Sequence, residues 1–273
     1  MRSAGRREWI GLGAAGALAA ALCGCAGPGP QARPARAPVG PHFSVLSYNV
    51  NWGMPRADLT VAAIIGADAD IVCLQETTPD WQWYLTDALG QRYPHMEFRH
   101  YGGAGGMAFL SKRPFATQAY VKPKAGWFPA WIVTVHTPLG RVQVCNLHLR
   151  PSLSDRGSVS LSSYINTKDI RRKEIEAAWE HLDPDRPAVV VGDLNESDSG
   201  RAVTWLKGQG FTDAIAEFDK DAHTWRWRWG LITLRDRFDH ILHSAHLRAA
   251  SARVIKEGAS DHYPVTAVVE KAP

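Results

Sequence analysis

Residues 189–197 read VVVGDLNES. Three valines and a glycine lead into Asp193; Asn195 stands two places on, with Glu196 beside it. An unbroken apolar run of this length reads as a strand covered on both faces. Ending it in ionisable groups costs free energy unless they are hydrogen-bonded, paired, or used by something that binds there. An acid after a strand is most often a turn former or helix cap, and Asp193 taken alone has that reading.

Working outward, the same event recurs. Asn49 and Asn51 follow FSVLSY, Glu76 follows IVCLQ, and His148 follows VQVCNL. Asp239 and His240 lie inside DRFDHIL, and Asp261 and His262 precede the last strand in SDHYPV. Apolar runs predict strands at 42–50, 70–75, 107–110, 131–135, 141–147, 188–191, 238–242, 250–255 and 265–269. Helices are expected at 59–65, 79–89, 168–182 (Ile170, Ile175, Ala178 and Trp179 inward) and 201–208, and a serine-rich loop at 152–163. Strands cluster without strict alternation with helices. That argues against a doubly wound sheet and for two packed sheets with helices outside.

In chain order the pieces SYNVN, LQE, NLHL, GDLN, RFDHIL and SDHYPV span 47–265. Together they resemble the endonuclease/exonuclease/phosphatase, or DNase I-like, superfamily of metal-dependent phosphoesterases. The resemblance implies an α+β fold, a four-layer α/β/β/α sandwich of two mainly antiparallel sheets. It implies hydrolysis of a phosphoester by in-line attack of water, assisted by Mg²⁺; Mn²⁺ or Ca²⁺ would suit the same oxygen donors. The implied metal ligands are Glu76, with Asn49 beside it, and Asp261. The implied catalytic residues are His148, Asp193, Asn195, Asp239 and His262. Asp193 would orient and deprotonate water, Asn195 would donate to a phosphoryl oxygen, and His148 and His262 would flank the phosphate. Asp239 would hold the His262 ring in place. Asn51 stands where many nucleases of the family carry an acid, which weakens a two-metal scheme; a turn residue is the equal alternative.

The N-terminus reads as an export segment. Arg2, Arg6 and Arg7 precede an apolar run at 9–22, then small residues and Cys25. Leu22-Cys23-Gly24-Cys25 resembles a lipobox, so residues 1–25 are expected to be a signal with Cys25 lipidated; a simple cleaved signal or an uncleaved anchor are the alternatives. Residues 26–41, rich in Pro, Gly and Ala, read as an extended tether, and 42–273 as the catalytic domain. The expected location is the bacterial cell envelope, lipid-anchored or secreted. The net charge of +4 comes from residues 1–40, which hold five arginines and one acid; the remainder has 26 basic and 26 acidic residues. No global nucleic-acid footprint remains. Cys73 and Cys145 read as buried thiols, with a disulfide as the alternative.

The core motifs do not choose the substrate. Loops at 99–106, 152–163 and 223–237 would. The last, HTWRWRWGLITLRDR, alternates Trp225, Trp227 and Trp229 with Arg226 and Arg228, placing them on opposite faces of a strand. Trp225 is expected in the core, and Trp227 and Trp229 are left open. Nucleic acid is the first substrate expectation and a phospholipid or other small phosphoester the second. A catalytically silent binding protein ranks below both, because all the implied active-site residues are present.

Overall fold

A computed structural model describes residues 32–153 and 161–273. Its first seven strands are β1 (His42–Asn49), β2 (Ile71–Gln75), β3 (His95–Arg99), β4 (Met107–Ser111), β5 (Phe115–Val121), β6 (Ala130–Thr137) and β7 (Gly140–His148). The rest are β8 (Ala188–Asp193), β9 (Thr212–Asp213), β10 (Trp225–Trp229), β11 (Ile232–Asp236), β12 (Asp239–His243), β13 (Leu247–Val254) and β14 (Val265–Lys271). The helices are α1 (Ala57–Ala67), α2 (Pro79–Leu89), α3 (Leu161–Trp179), α4 (Arg201–Gly208) and α5 (Ala214–Phe218).

Two six-stranded sheets form, in the orders β13-β14-β1-β2-β4-β3 and β5-β6-β7-β8-β12-β9, with β10 and β11 a separate hairpin. Each large sheet has one parallel pair, β1 with β2 and β7 with β8; every other pairing is antiparallel. Three apolar cores account for the layers. Between the sheets lie Phe43, Val45, Ile71, Cys73, Phe109, Trp131, Val189 and Val191. Leu46, Val72 and Leu74 face Ile64, Trp81 and Leu85 of α1 and α2. Cys145, Val190 and Leu147 face Ile175, Ala178 and Leu206 of α3 and α4. Helix, sheet, sheet and helix are therefore stacked as the resemblance implies. Strands such as IVCLQ and AVVVGD are buried on both faces, which is why they read as unbroken apolar runs.

Local chemistry sets the element ends. At α2, Thr78 accepts a hydrogen bond from the Trp81 N–H and Pro79 takes the first turn. Trp81, Leu85 and Leu89 then share its buried face; replacing Leu85 by Ala would cost about 2–5 kcal/mol. Within β8, Gly192 has φ +140°, and a Cβ there would sit 1.9 Å from the Leu147 carbonyl oxygen. No other residue lets β7 and β8 close at that point. The sheets are also joined by polar groups. Gln75 donates through Nε2 to Asn146 Oδ1 at 2.7 Å, and Asn146 donates through Nδ2 to the Leu74 carbonyl at 3.0 Å.

Several expectations are corrected. Helix α3 begins at Leu161, so 161–163 are helix rather than loop, while 154–160 lie outside the described residues. Its inward face carries Ile175 and Ala178 together with buried Arg171 and Glu174; Ile170 and Trp179 are only half-buried. Strands β3 and β5 lie at sheet edges and are largely half-exposed, so no apolar run announces them. Expectations for 1–31 lie outside the described residues. The later part of the expected tether is pinned to the domain. Arg33 N–H donates to the Glu217 carbonyl at 2.7 Å, Arg36 N–H to that of Ala250 at 3.1 Å, and Val39 N–H to Glu270 Oε2 at 2.6 Å; the Arg36 guanidinium pairs with Glu270. The folded unit begins at Ala32, ten residues before the expected boundary. Cys73 and Cys145 are free, buried and in different cores.

Candidate active site

The two parallel strand pairs perform the same task. Register sets Asn49 beside Gln75 at the ends of β1 and β2, so Asn49 and Glu76 emerge together. On the other sheet His148 lies beside Asp193, and Asp193 beside Asp239, across β7, β8 and β12. The turn between β13 and β14 brings in Asp261 and His262. All eight residues implied by the sequence motifs occupy one end of the sandwich.

Asp193 Oδ2 is the centre. Asn49 Nδ2 donates to it at 3.1 Å and to Glu76 Oε1 at 3.0 Å. His148 Nε2 and His262 Nε2 each stand 3.5 Å from the same oxygen, too far for a good hydrogen bond. His262 Nδ1 bonds Asp239 Oδ2 at 2.8 Å. The backbone N–H of Asn195 donates to Asp193 Oδ1 at 2.9 Å, and Asn195 Nδ2 spends one of its two N–H groups on the Leu149 carbonyl at 3.0 Å. Asn51 does two things: it takes a left-handed turn at φ 63°, and its Nδ2 donates to Asp261 Oδ1 at 3.0 Å. Glu76 and Asn195 are left-handed as well, at φ 62° and 51°, so strained backbone gathers at this end of the molecule. Asn49 presents its nitrogen to the two acids while its Oδ1 accepts from the Asn51 N–H; to serve as an oxygen ligand it would have to turn.

The sequence model of the Endonuclease/Exonuclease/phosphatase family matches residues 46–262. The chain belongs to that family. Solved structures similar in fold include an endonuclease/exonuclease/phosphatase from Beutenbergia cavernae (19% identity, TM-score 0.65, 85% of this chain and 72% of that one). TDP2 from D. rerio, complexed with a single-strand DNA product, has 20% identity and TM-score 0.66 over 84% of this chain and 99% of that one. An AP endonuclease from Archaeoglobus fulgidus has 18% identity and TM-score 0.62 over 82% and 98%. No curated protein matches the chain.

Members of the endonuclease/exonuclease/phosphatase family are phosphoester hydrolases, typically dependent on divalent metal. The electrostatics of this site fit such an ion. Four carboxyls, Glu76, Asp193, Asp239 and Asp261, share it with two imidazoles, and among the described residues no other basic side chain comes within 4.0 Å of them. Burial pushes the Glu76 carboxyl up, against the Asn49 and Trp52 N–H groups; it pushes Asp193 up as well, against the charge of His262. Asp239 Oδ1 is buried without a hydrogen-bond partner. Burial disfavours the His262 cation, but Asp239 and Asp193 outweigh it and raise the ring to about 10. Burial wins at His148, which is lowered and neutral at pH 7. Asp193, Asp239 and His262 have ligand atoms within 4.8 Å of one another, yet a doubly protonated imidazole has no lone pair to give. That trio reads as a proton-holding pair beside a base. The oxygens left for a cation are those around Glu76.

Some participants had no signal in the sequence. Thr224 Oγ1 accepts from the N–H groups of Phe238 and Asp239 at 3.0 and 2.9 Å, fixing Asp239. Phe128 stacks on the His148 ring at 4.2 Å between centroids. The Trp52 N–H holds Glu76 Oε2 at 3.0 Å. Loop backbone and loop aromatics follow no period.

Proposed function

We propose that this chain is a divalent-metal-dependent phosphodiester hydrolase, exported to the cell envelope and either lipid-anchored at Cys25 or secreted. The observation that carries the reading is the surplus of buried carboxyl over positive charge around Asp193. A desolvated anionic cluster is unfavourable by itself and becomes favourable with a hard cation. Glu76, with Asn49 and Asp261, would hold the ion, and Mg²⁺ matches these oxygen donors best. When bound, it supplies neutralising charge to the phosphoryl oxygens.

The chain's own groups do the rest. Asp193 orients a water molecule and takes its proton as the water oxygen bonds to phosphorus and an ester P–O bond breaks. His262, held cationic by Asp239, and neutral His148 stand on either side of Asp193 Oδ2, spaced to donate to phosphoryl oxygens as charge builds. With one N–H on the Leu149 carbonyl, Asn195 keeps a second to donate to a phosphoryl oxygen. Purified protein should hydrolyse bis-p-nitrophenyl phosphate in Mg²⁺, lose that activity in EDTA, and regain it on adding the metal back. Activity that survives both EDTA and Asp193→Asn would overturn the proposal. For the location, mature protein should carry an acyl mass on Cys25 that Cys25→Ser removes; a wild-type chain with no such mass would refute the anchor.

A further inference from the structure

The hairpin β10–β11 belongs to neither large sheet. Ten large apolar side chains are exposed among the described residues, and four of them fall within eight positions here: Trp227 at 53%, Leu231 at 102%, Ile232 at 60% and Leu234 at 46%. The other six are scattered along the chain. Register pairs Trp227 with Leu234, and two-residue alternation puts Ile232 on that same face. Arg226 lies opposite Arg235, and Arg228 opposite Thr233, on the reverse face. Leu231 follows Gly230 in the turn; a fully exposed leucine contributes nothing to a turn or to the fold. Two-stranded hairpins are marginal by themselves, so an exposed apolar face on one needs a partner.

The root of the hairpin is part of the active site. Trp225 bridges to His262, the Arg226 N–H donates to the Asp261 carbonyl at 2.9 Å, and the Tyr263 N–H donates to the Thr224 carbonyl at 2.6 Å. Trp225 packs on Phe238, and the Arg226 guanidinium lies 3.9 Å over the Tyr263 ring. A five-residue strand spans about 17 Å. Whatever the tip touches is therefore about that far from Asp261 and His262.

We infer that the hairpin docks the chain on a lipid bilayer surface and, resting on the phosphodiesterase reading above, that the substrate is a phosphodiester of lipid headgroups. Leu231, Ile232 and Leu234 are aliphatic, suited to the acyl boundary, and Trp227 to the headgroup zone. Exposed Arg228 and Arg235, on the other face, complement anionic headgroups. A polynucleotide surface would call for stacking rings along a basic groove, whereas three of these four side chains are aliphatic and the domain carries no excess positive charge.

The test uses residues 32–273, the compact folded unit, which carry neither the cysteine at 25 nor the apolar run at 9–22. This unit is sedimented with phosphatidylcholine vesicles, with and without phosphatidylglycerol. The double variant Leu231→Asp/Ile232→Asp should lose about tenfold or more in partitioning to both. Arg228→Glu/Arg235→Glu should lose only the extra binding to anionic vesicles. Brominated lipid should quench tryptophan fluorescence, and Trp227→Phe should weaken that quenching; this reads docking without an aspartate in the hairpin. Unchanged partitioning of the double variant together with unchanged quenching would overturn the inference. So would hairpin-dependent binding of an oligonucleotide with none to vesicles. Turnover of bis-p-nitrophenyl phosphate by the unsubstituted chain is followed in parallel; its absence defeats the hydrolase reading, while the vesicle data decide docking independently.

Discussion

Two buried polar clusters lie side by side, built from the same stretches of chain. Asp193 and Asp239 feed one; Glu196 and His240, three residues and one residue further on, feed the other. In the second, Arg171 Nε donates to Glu196 Oε2 at 2.9 Å, and its Nη1 donates to the Arg150 carbonyl at 3.0 Å. Glu196 Oε1 accepts from the N–H groups of Ala202 and Val203 at the start of α4. His240 faces an acceptor on each side, Asp213 Oδ2 at 2.8 Å through Nδ1 and the Glu196 carbonyl at 2.9 Å through Nε2. Both ring nitrogens must therefore carry protons. Burial opposes that cation, but Asp213 raises its pKa above the ordinary value. Here each acid has its cation. Around Asp193 acids outnumber cations, imidazoles stop short of bonding distance, and a carboxylate oxygen is left alone. Balanced charge marks scaffold, and unbalanced charge marks a place where something else must arrive.

The sharpest way to break this contrast is Asp193→Asn. Turnover of a phosphodiester should fall by about a thousandfold, while the thermal midpoint holds or rises because a buried repulsion is relieved. A large loss of stability would make Asp193 part of the scaffold. The mirror experiment is Arg171→Met, which leaves Glu196 buried and unpaired. It should cost about 3–5 kcal/mol in denaturant unfolding with turnover per folded molecule nearly unchanged; loss of activity without loss of stability would merge the two clusters. Next in size, saturating Mg²⁺ should stabilise the protein, by about 2.7 kcal/mol at a hundred times its Kd. Glu76→Gln should abolish that gain and Arg171→Met should keep it. The smallest effect is a slope with pH. The folded pKa of His240 lies above its unfolded value of about 6.5. Its contribution is thus complete below about 6.5 and is lost as pH rises through the folded value. His240→Gln should flatten that part of the stability profile; an unchanged profile would mean the ring is neutral in the fold.

Much of the frame was legible. VVVGDLNES announced a buried strand ending in work for an acid, and the recurrence of polar residues after apolar runs brought Asn49, Glu76, His148, Asp193, Asp239, Asp261 and His262 into one group. Alternation puts neighbours such as Asp239 and His240 on different sides of a strand. It could not show which side held a partner cation, because Arg171 comes from a helix whose inward face had read as apolar. Edge strands β3 and β5 escaped notice because half-exposed strands carry no apolar run. The pinned residues 33–39 escaped because composition reports stiffness and not the carboxylate of Glu270 waiting on β14.

The amide link between Gln75 and Asn146 gives the site a mechanical property. Asn49 and Glu76 hang from one sheet, and His148, Asp193 and Asp239 from the other. On the proposed reading, the gap between the sheets is therefore also the distance from the oxygens that would hold an ion to the groups that would move a proton. Apolar contact is non-directional and sets such a gap loosely; a hydrogen bond has a preferred length and angle. Placed one residue from Glu76 and two from His148, this pair acts as a gauge block, setting the clearance at the end of the sandwich where the carboxyls and imidazoles meet.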